Sequence, residues 1–243
     1  MTDYSDKNED ASTLNSPIDT DFKAAISVDC VIFGYDKYDL KVLVLKSDMP
    51  IFKGQYSLLG DLLRHDENTD QSAKRVLQKH TGLTDLFMEQ VSTFSDVERH
   101  PLGRVVTIAY YSLVQLNENL MNLSTHNADL KWKKVSDIEE LAFDHKLIFD
   151  KCLKQLRYGL KEKPIGFNLL PEKFTLKQLQ NLYEKVLDLE IDKRNFRRKL
   201  KSIDLLVDVN ENQTDVNHRP AKLYSFDKRK YDTKKKKGFN FEL

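Results

Sequence analysis

A loop, an amphipathic helix and a glycine stop occupy residues 58–83, and this segment constrains the fold more than any other part of the chain. Gly60 and Asp61 follow an extended apolar run, and residues 66–70 supply short polar side chains that suit the start of a helix. Apolar side chains then recur at helical spacing, at Ala73, Val76 and Leu77. Gly82 follows as a C-cap, so the segment predicts a loop followed by one helix packed on a larger body.

The charge of the chain is divided unevenly along its length. Residues 1–163 carry 21 Lys+Arg and 26 Asp+Glu, a balance of −5, whereas residues 164–243 carry 18 and 12, a balance of +6. With 243 residues and 40% hydrophobic side chains, the chain is long enough for two modest domains. A basic C-terminal part on an acidic body favours nucleic acid as a partner of that end, although a solvated basic tail is the alternative.

Cysteine usage and hydropathy indicate the compartment. Cys30 and Cys152 lie in apolar segments without metal-binding or redox spacing, which suits a reducing cytoplasm. We expect no membrane span and no signal peptide, because no apolar run is long enough and the N-terminus is polar and acidic.

The N-terminal part predicts a mixed sheet with helices. Residues 1–21 are polar and are expected to be disordered. Apolar β-branched runs predict a hairpin of strands at 25–33 and 41–46. Later strands are predicted at 88–95, 104–116 and 132–135, and apolar side chains at helical spacing predict a final helix at 144–160. This order of elements suits an α/β/α sandwich around a mixed sheet.

The segment at 58–83 resembles the Nudix box, the phosphate-hydrolase motif Gly-x5-Glu-x7-Arg-Glu-U-x-Glu-Glu-x-Gly-U, in which U is a bulky apolar residue. The matches are Glu67, Arg75, Leu77, Gly82 and Leu83. The resemblance implies a Nudix-like domain over residues 22–160. Incidental similarity of a packed loop and helix is the alternative.

The departures from the box remove its metal ligands. Asp61 stands at the first glycine, Val76 replaces the glutamate after the arginine, and Lys79-His80 replaces the Glu-Glu pair. Magnesium needs oxygen ligands and is repelled by a lysine, so we predict no catalytic residues, no metal and no hydrolase activity. A surviving pyrophosphohydrolase would have to regroup other carboxylates, namely Asp61, Glu67, Asp96 and Glu98.

A cleft beside the box helix is the predicted ligand site. Loop positions suggest the residues that contact the ligand: Asp29, Tyr56, Asp61, Ser95, Asp96, Arg99 and Arg104. The loop at 96–103 could equally be an ordinary exposed turn.

A second unit begins at Pro164 and predicts a DNA-binding helix. Thr175 is an N-cap before an amphipathic helix, and Asp192 is a second N-cap before residues 193–201. In that second helix Phe196 and Leu200 point one way, while six of the nine residues are cationic. A hairpin at 205–226 would form a wing. The predicted DNA contacts are Thr175, Lys193, Arg194, Asn195, Arg197, Arg198, Lys201, His218 and Arg219.

A degenerate Nudix domain followed by Phe174-Thr175-Leu176, Leu179-Gln180 and Asp192–Lys199 resembles the Nudix-related transcriptional regulators. The resemblance implies a winged helix-turn-helix over 164–230, a basic tail over 231–243, and a cytoplasmic, bacterial, homodimeric repressor of palindromic operator DNA. The resemblance also implies that the former hydrolase cleft holds an effector, which is ADP-ribose in one branch of the family and a pentose sugar such as L-arabinose in another. Because the box has lost its acidic ligands and the body is acidic, we expect L-arabinose as the effector and sugar utilisation for the target genes. ADP-ribose and NAD metabolism are the alternative, and no cofactor is expected.

Two rival interpretations stay open on the sequence. One is an active pyrophosphohydrolase with a basic appendage. The other is an RNA-binding protein, which would require aromatic side chains on a basic surface for stacking. Tyr224 and Phe226 look more like residues of the wing packing.

Overall fold

The structure is a computed structural model that describes residues 23–101, 103–121, 129–214, 219–239 and 241. The predicted disordered segment, residues 1–21, lies outside the described residues. Among the described helices, none is long and apolar enough to cross a membrane.

A seven-stranded mixed sheet forms the centre of the N-terminal domain. Its strands are β1 (Ala25–Tyr35), β2 (Leu40–Lys46), β3 (Tyr56–Ser57), β4 (Leu59–Leu62), β5 (Phe87–Phe94), β6 (Val105–Gln115) and β7 (Leu130–Lys134). The long strands β1 and β6 pair in parallel over their whole length, from Ala25 opposite Val105 to Tyr35 opposite Gln115. The other pairings, β1 with β2 and β4, β2 with β3 and β7, and β5 with β6, are antiparallel.

Helices cover both faces of this sheet. The helices of this domain are α1 (Thr69–Thr81), α2 (Glu118–Met121) and α3 (His145–Glu162). Side chains of β1 alternate between the faces: Cys30 and Ile32 join the core beside α1, and Val31 and Phe33 join the core beside α3. The predicted α/β/α sandwich is confirmed.

The box helix forms for the reasons that the sequence suggested. The Asn68 side chain accepts a hydrogen bond from the Gln71 amide at 2.9 Å, and the Gln71 side chain accepts one from the Asn68 amide at 2.8 Å. This reciprocal capping box fixes the start of α1. Gly82, in the left-handed region at φ 71°, ends it.

A winged helix-turn-helix makes up the C-terminal domain. It consists of α4 (Leu176–Leu187), α5 (Lys193–Ile203) and the antiparallel hairpin of β8 (Leu206–Asn212) and β9 (Lys222–Phe226). Phe174 adds a third short pairing, because its amide and carbonyl both bond to Tyr224 at 2.9 and 2.8 Å. This confirms the predicted second half of the fold.

The predicted basic tail over 231–243 needs correction. A further helix, α6 (Lys228–Lys236), begins inside the predicted winged helix domain and runs into that tail. Phe241 is buried and packs with Ile203 and Leu205. Burial of aromatic side chains that lie beyond the lysine run therefore holds this part of the chain on the domain.

One apolar core extends through both domains. After α3, a 3-10 helix at Pro164–Leu169 turns the chain directly into the winged helix without a polar linker. The core beside α3 includes Phe149 and Leu160 from one domain and Leu182 and Tyr183 from the other. The Arg157 guanidinium of α3 also donates to the carbonyl of Val186 in α4 at 2.9 Å.

Candidate functional sites

The carboxylates that survive in the box loop are held by cations. The Arg75 guanidinium donates two hydrogen bonds to Glu67, at 2.6 and 2.9 Å, and one to Asp61 at 2.7 Å. Lys79 lies 3.6 Å from the same Asp61 oxygen. The hydrogen bonds from Arg75 lower the pKa of Glu67 to about 2. Both carboxylates of the box loop are therefore held in ion pairs, and the replacements at Val76, Lys79 and His80 leave fewer oxygen ligands for a metal.

No cluster of three potential metal-ligating side chains occurs within the described residues. The regrouping of carboxylates that an active pyrophosphohydrolase would require is not seen among those residues, since Asp61 and Glu67 pair with Arg75. Asp96 instead has its carbonyl tied to Arg104 at 3.1 Å.

A cleft of about 490 Å³ opens beside this loop, in the volume range of small-molecule sites. Asp29 lies at its base and is only 5% exposed. Odd-numbered residues of β1 face α3, so the carboxylate of Asp29 points toward the first turn of that helix. A side chain at Gly60 would collide with this carboxylate, so the glycine leaves room for it.

His145, the first residue of α3, is the partner of Asp29. Its Nδ1 accepts a hydrogen bond from the Leu58 amide at 2.9 Å, and its Nε2 lies 3.4 Å from an Asp29 carboxylate oxygen. An accepting Nδ1 places the proton of the neutral ring on Nε2, on the side of Asp29. The pair gives the cleft a buried hydrogen-bond acceptor held in a fixed orientation.

Aromatic rings form one wall of the cleft around Phe143. Its ring centroid lies 5.2 Å from that of His100, with only 13° between the planes, and 4.9 Å from that of His145. On its other side Phe52 lies at 4.3 Å. Phe143 also has a positive φ of 58°, a conformation that is uncommon outside glycine and that concentrates at functional sites.

Arg99 fastens the predicted ligand loop to the start of α3. Its side chain is 4% exposed and makes two hydrogen bonds to Asp144, at 2.8 and 2.6 Å, and one to the Thr107 hydroxyl. Arg99 does line the cleft, but three of its five N–H donors bond to Asp144 and Thr107.

The structure brings together three of the seven predicted effector residues, namely Asp29, Asp61 and Arg99. The other four lie outside the lining of this cleft. Arg104 donates to the carbonyls of Ser95 and Asp96 and so closes their loop. Tyr56 faces the ammonium group of Lys133, which lies 4.6 Å from its ring centroid.

His100, Phe143 and His145 were missed by sequence reasoning. They lie in two loops that are distant in sequence and meet only because the sheet aligns them. The sequence predicted Asp144 and His145 only as the start of an amphipathic helix over 144–160, and it gave no role to Phe143.

Helix α5 presents a cationic face. Phe196, Leu200 and Ile203 are buried, and the predicted contacts on this helix are all exposed: Lys193, Arg194, Asn195, Arg197, Arg198 and Lys201. The Asp192 side chain caps α5 by accepting from the Asn195 amide at 2.8 Å. The turn before it is fixed by Glu184, which accepts from the Ile191 amide at 3.1 Å.

The remaining predicted DNA contacts have different environments. Thr175 is 3% exposed, and its hydroxyl accepts from the Gln178 amide at 3.1 Å in a capping box, so the side chain is not presented to solvent. That prediction needs correction, because capping α4 occupies the hydroxyl. Arg219 is exposed on the wing, and His218 lies outside the described residues.

Together, a Nudix-like sandwich with a neutralised box and a winged helix with a cationic exposed helix define a ligand-responsive DNA-binding regulator. Residues 166–226 match the NrtR DNA-binding winged helix domain. The structure superposes on Shewanella oneidensis NrtR complexed with a 27mer DNA, with a TM-score of 0.74 and 30% identity, covering 83% of this chain and 93% of that one. The chain belongs to the NrtR family of transcriptional regulators.

Two further relatives bear on the ligand. The ADPR responsive transcriptional repressor NtrR of Acinetobacter baylyi is 28% identical over 89% of this chain and 85% of its own length. The Nudix domain of Shewanella oneidensis NrtR complexed with ADP ribose is 26% identical, with a TM-score of 0.50, over 59% of this chain and 96% of that domain.

The prediction of L-arabinose and of sugar utilisation is therefore wrong, because these relatives respond to or bind ADP-ribose. The error has a physical source. The net charge of the acidic body was used to judge the cleft, but the cleft is defined by a few local side chains and a broad aromatic wall.

Proposed function

We propose that this protein is a transcriptional repressor that binds operator DNA through its winged helix and is released by ADP-ribose bound in the Nudix-like cleft. The observation that carries the proposal is the 30% identity to Shewanella oneidensis NrtR across both domains, in a relative whose structure contains DNA. Genes of NAD metabolism are the proposed targets, and the cytoplasm is the proposed compartment.

The cleft supports a nucleotide sugar better than a lone pentose. The stacked pair of His100 and Phe143 offers a flat surface for an adenine ring. The buried carboxylate of Asp29 is an acceptor for ribose hydroxyl groups. Lys46, also in the lining, supplies a cation for the diphosphate.

We propose further that the cleft binds without hydrolysing. Val76, Lys79 and His80 stand at the positions where the box has the glutamates that bind magnesium, and the remaining Glu67 pairs with Arg75. Incubation of the purified protein with ADP-ribose and magnesium or manganese, with release of AMP as the readout, tests this directly. If the wild type released AMP and Glu67→Gln abolished that release, the protein would be an active hydrolase and this proposal would be wrong.

Helix α3 is the proposed route from the cleft to the DNA-binding domain. Its first turn carries His145 in the cleft, and Asp144 just before it holds Arg99. Twelve residues later, about 18 Å along the helix, Arg157 bonds to the backbone of α4. A ligand that shifts the first turn of α3 therefore acts on an element packed directly against the winged helix.

DNA binding is proposed to involve a two-fold dimer on a palindromic operator with half-sites about one DNA turn apart, or a multiple of it. ADP-ribose can release DNA only as far as it binds the DNA-incompetent arrangement of the two winged helices more tightly.

The test is selection of genomic DNA fragments on the purified protein near physiological salt, repeated with ADP-ribose and with L-arabinose. We expect enrichment of one palindromic fragment, which ADP-ribose abolishes and L-arabinose leaves bound. Failure to enrich any sequence would overturn the regulator proposal. Enrichment that ADP-ribose does not change would overturn only the choice of effector.

A further inference from the structure

Helix α6 carries a concentration of positive charge that the winged helix does not require for folding. Five exposed cationic residues form what we call the α6 cationic surface: Lys228, Arg229, Lys235, Lys236 and Lys237. Asp232 is the one acidic residue within the helix. The helix lies beyond residues 166–226, which match the family's winged helix.

The helix is fixed in place by contacts on its other side. Lys230 and Lys234 pair with Asp204 at 2.6 and 3.6 Å, and Lys234 also donates to the carbonyl of Ile203 at 2.8 Å. Phe241 packs against Ile203 in a small apolar cluster. These contacts join α6 to the C-terminal end of α5, so its cations are held in position and are not spread over a solvated tail.

The cations at the start of α6 interact unfavourably with the dipole of the helix. The positive end of a helix dipole lies at the N-terminus, yet the first turn contains Lys228, Arg229 and Lys230. The Asp227 N-cap, the Asp204 pair and Asp232 one turn later offset part of this crowding. The dipole favours lysines in the last turn, but it cannot account for the cations at the start. An external anion would relieve the repulsion at both ends.

Helix α6 is joined to the C-terminal end of α5, which carries exposed cations of its own. Asp204 caps the end of α5 and pairs with α6, and Lys201 lies one turn before it on the exposed side. The cationic residues from Arg194 to Lys201 and those of α6 therefore belong to one joined unit of two helices.

We propose that α6 is a second DNA-binding element, which contacts the phosphate backbone beside the site of the recognition helix. The inference rests on the proposed function, since it extends the same DNA interface. Nine residues of helix span about 13 Å, a length over which one DNA strand presents roughly four phosphates. Lysines without base-edge geometry contribute affinity and salt dependence, and little sequence preference.

The experiment measures binding of the full chain to a short mixed-sequence DNA duplex over a range of salt concentrations. The variant K235Q/K236Q/K237Q removes three cations that do not tie α6 to α5. We expect affinity near physiological salt to fall about tenfold, and the slope of log K against log salt to fall by roughly 2 to 3. The variant K235R/K236R/K237R, which keeps the charge, should retain both values.

The matched control is K74Q/K131Q/K151Q, which removes the same charge from exposed positions of the Nudix-like domain. An equal loss of affinity in this control would show that net charge alone acts, and would overturn the proposal. An unchanged slope in the α6 variant would overturn it too. Lysine-dependent binding of single-stranded RNA without duplex binding would assign the surface to RNA and have the same effect.

A second variant, K228Q/R229Q, changes the opposite end of α6 and should lower the slope by roughly 1 to 2. It keeps the test decisive if thermal unfolding shows that the first variant has lost structure. Because mixed-sequence DNA is the probe, failure here leaves the operator selection and the proposed function untouched.

Discussion

Buried tyrosine side chains differ in whether their hydroxyl groups have hydrogen-bond partners. The hydroxyl groups of Tyr111 and Tyr183 are buried without a hydrogen-bond partner among the described residues. Burial strongly raises the pKa of the Tyr183 hydroxyl. By contrast, the Tyr110 hydroxyl bonds to Asp70 at 2.6 Å and to Thr69 at 2.9 Å. Two tyrosines of similar burial therefore offer a matched comparison.

We predict that Tyr183→Phe raises the free energy of unfolding by about 1 kcal/mol, because it removes a buried unpaired hydroxyl at little cost in packing. Tyr110→Phe should lower it by about 1 kcal/mol or more, since it leaves Asp70 without its partner. Urea unfolding followed by circular dichroism measures both. Destabilisation by Tyr183→Phe equal to that by Tyr110→Phe would contradict the assignment of the unpaired group.

In the cleft, Asp29 is predicted to determine effector affinity. Asp29→Asn keeps the shape of the side chain but removes the charge that faces His145 and the ligand. We expect ADP-ribose to bind at least about tenfold more weakly by isothermal titration calorimetry, a loss of roughly 1.4 kcal/mol. DNA affinity without ligand should not change. Asp96→Asn, in a loop closed away from the cleft lining, is the control that should keep full ADP-ribose affinity.

The ion pair in the box loop makes a prediction about pH. The pKa of Glu67 is lowered to about 2 in the folded state by the hydrogen bonds from Arg75, against an ordinary value of 4.5. A lowered folded pKa contributes stability that is present above the unfolded pKa and lost as pH falls. The stability difference between the wild type and Glu67→Gln should therefore be constant above about pH 4.5 and shrink between pH 4.5 and 2. A difference that persists unchanged at pH 2 would disprove the pairing.

At the scale of the elements, α5 carries the most direct prediction. Arg197→Ala and Arg198→Ala change exposed side chains on a helix anchored by Phe196 and Leu200. If the arginine contacts a base edge, its loss should weaken operator binding by about 1 to 3 kcal/mol. If it contacts a phosphate, the loss should be smaller, and the slope of log K against log salt should also fall. The melting temperature should stay near that of the wild type. Fluorescence anisotropy with the selected operator measures this, and full affinity in both variants would remove α5 from the interface.

Some secondary-structure elements could be predicted from the sequence and others could not. Helices α1, α4 and α5 follow from apolar spacing between capping residues, which are local signals. The short strands β3 and β4 were not separated in the sequence, because two to four residues carry no periodicity. The cleft was recovered only in part, since Asp29, His100 and His145 meet through strand pairing and no spacing encodes that meeting.

At the scale of the molecule, the two domains form one packed body. Gly166 lies so close to Leu160 and Tyr183 that a Cβ there would fall 2.7 Å from the former and 3.3 Å from the latter. The apolar core beside α3 runs through this contact without interruption. The described residues at the junction include no hinge of polar residues. We therefore expect the proposed release of DNA to come from a change between the two subunits of the proposed dimer.

We predict that the fragment 164–243 expressed alone is poorly folded, because it exposes the apolar side chains that pack on α3. Near-ultraviolet circular dichroism and proton NMR dispersion should both be weak. The full chain should unfold in one cooperative thermal transition. A well-dispersed spectrum from the fragment, with the melting temperature of the full chain, would show that the junction is dispensable.

The shared core also determines which phenotypes mutants of the proposed repressor should show in a genetic screen. Derepressed alleles should map to α5 and equally to buried positions throughout both halves, since damage to either half reaches the other through the junction. Alleles that stay repressed in the presence of the effector should be few and confined to the cleft around Asp29 and Phe143. Mutations at many positions should therefore abolish repression, whereas mutations at only a few positions should abolish the response to the effector.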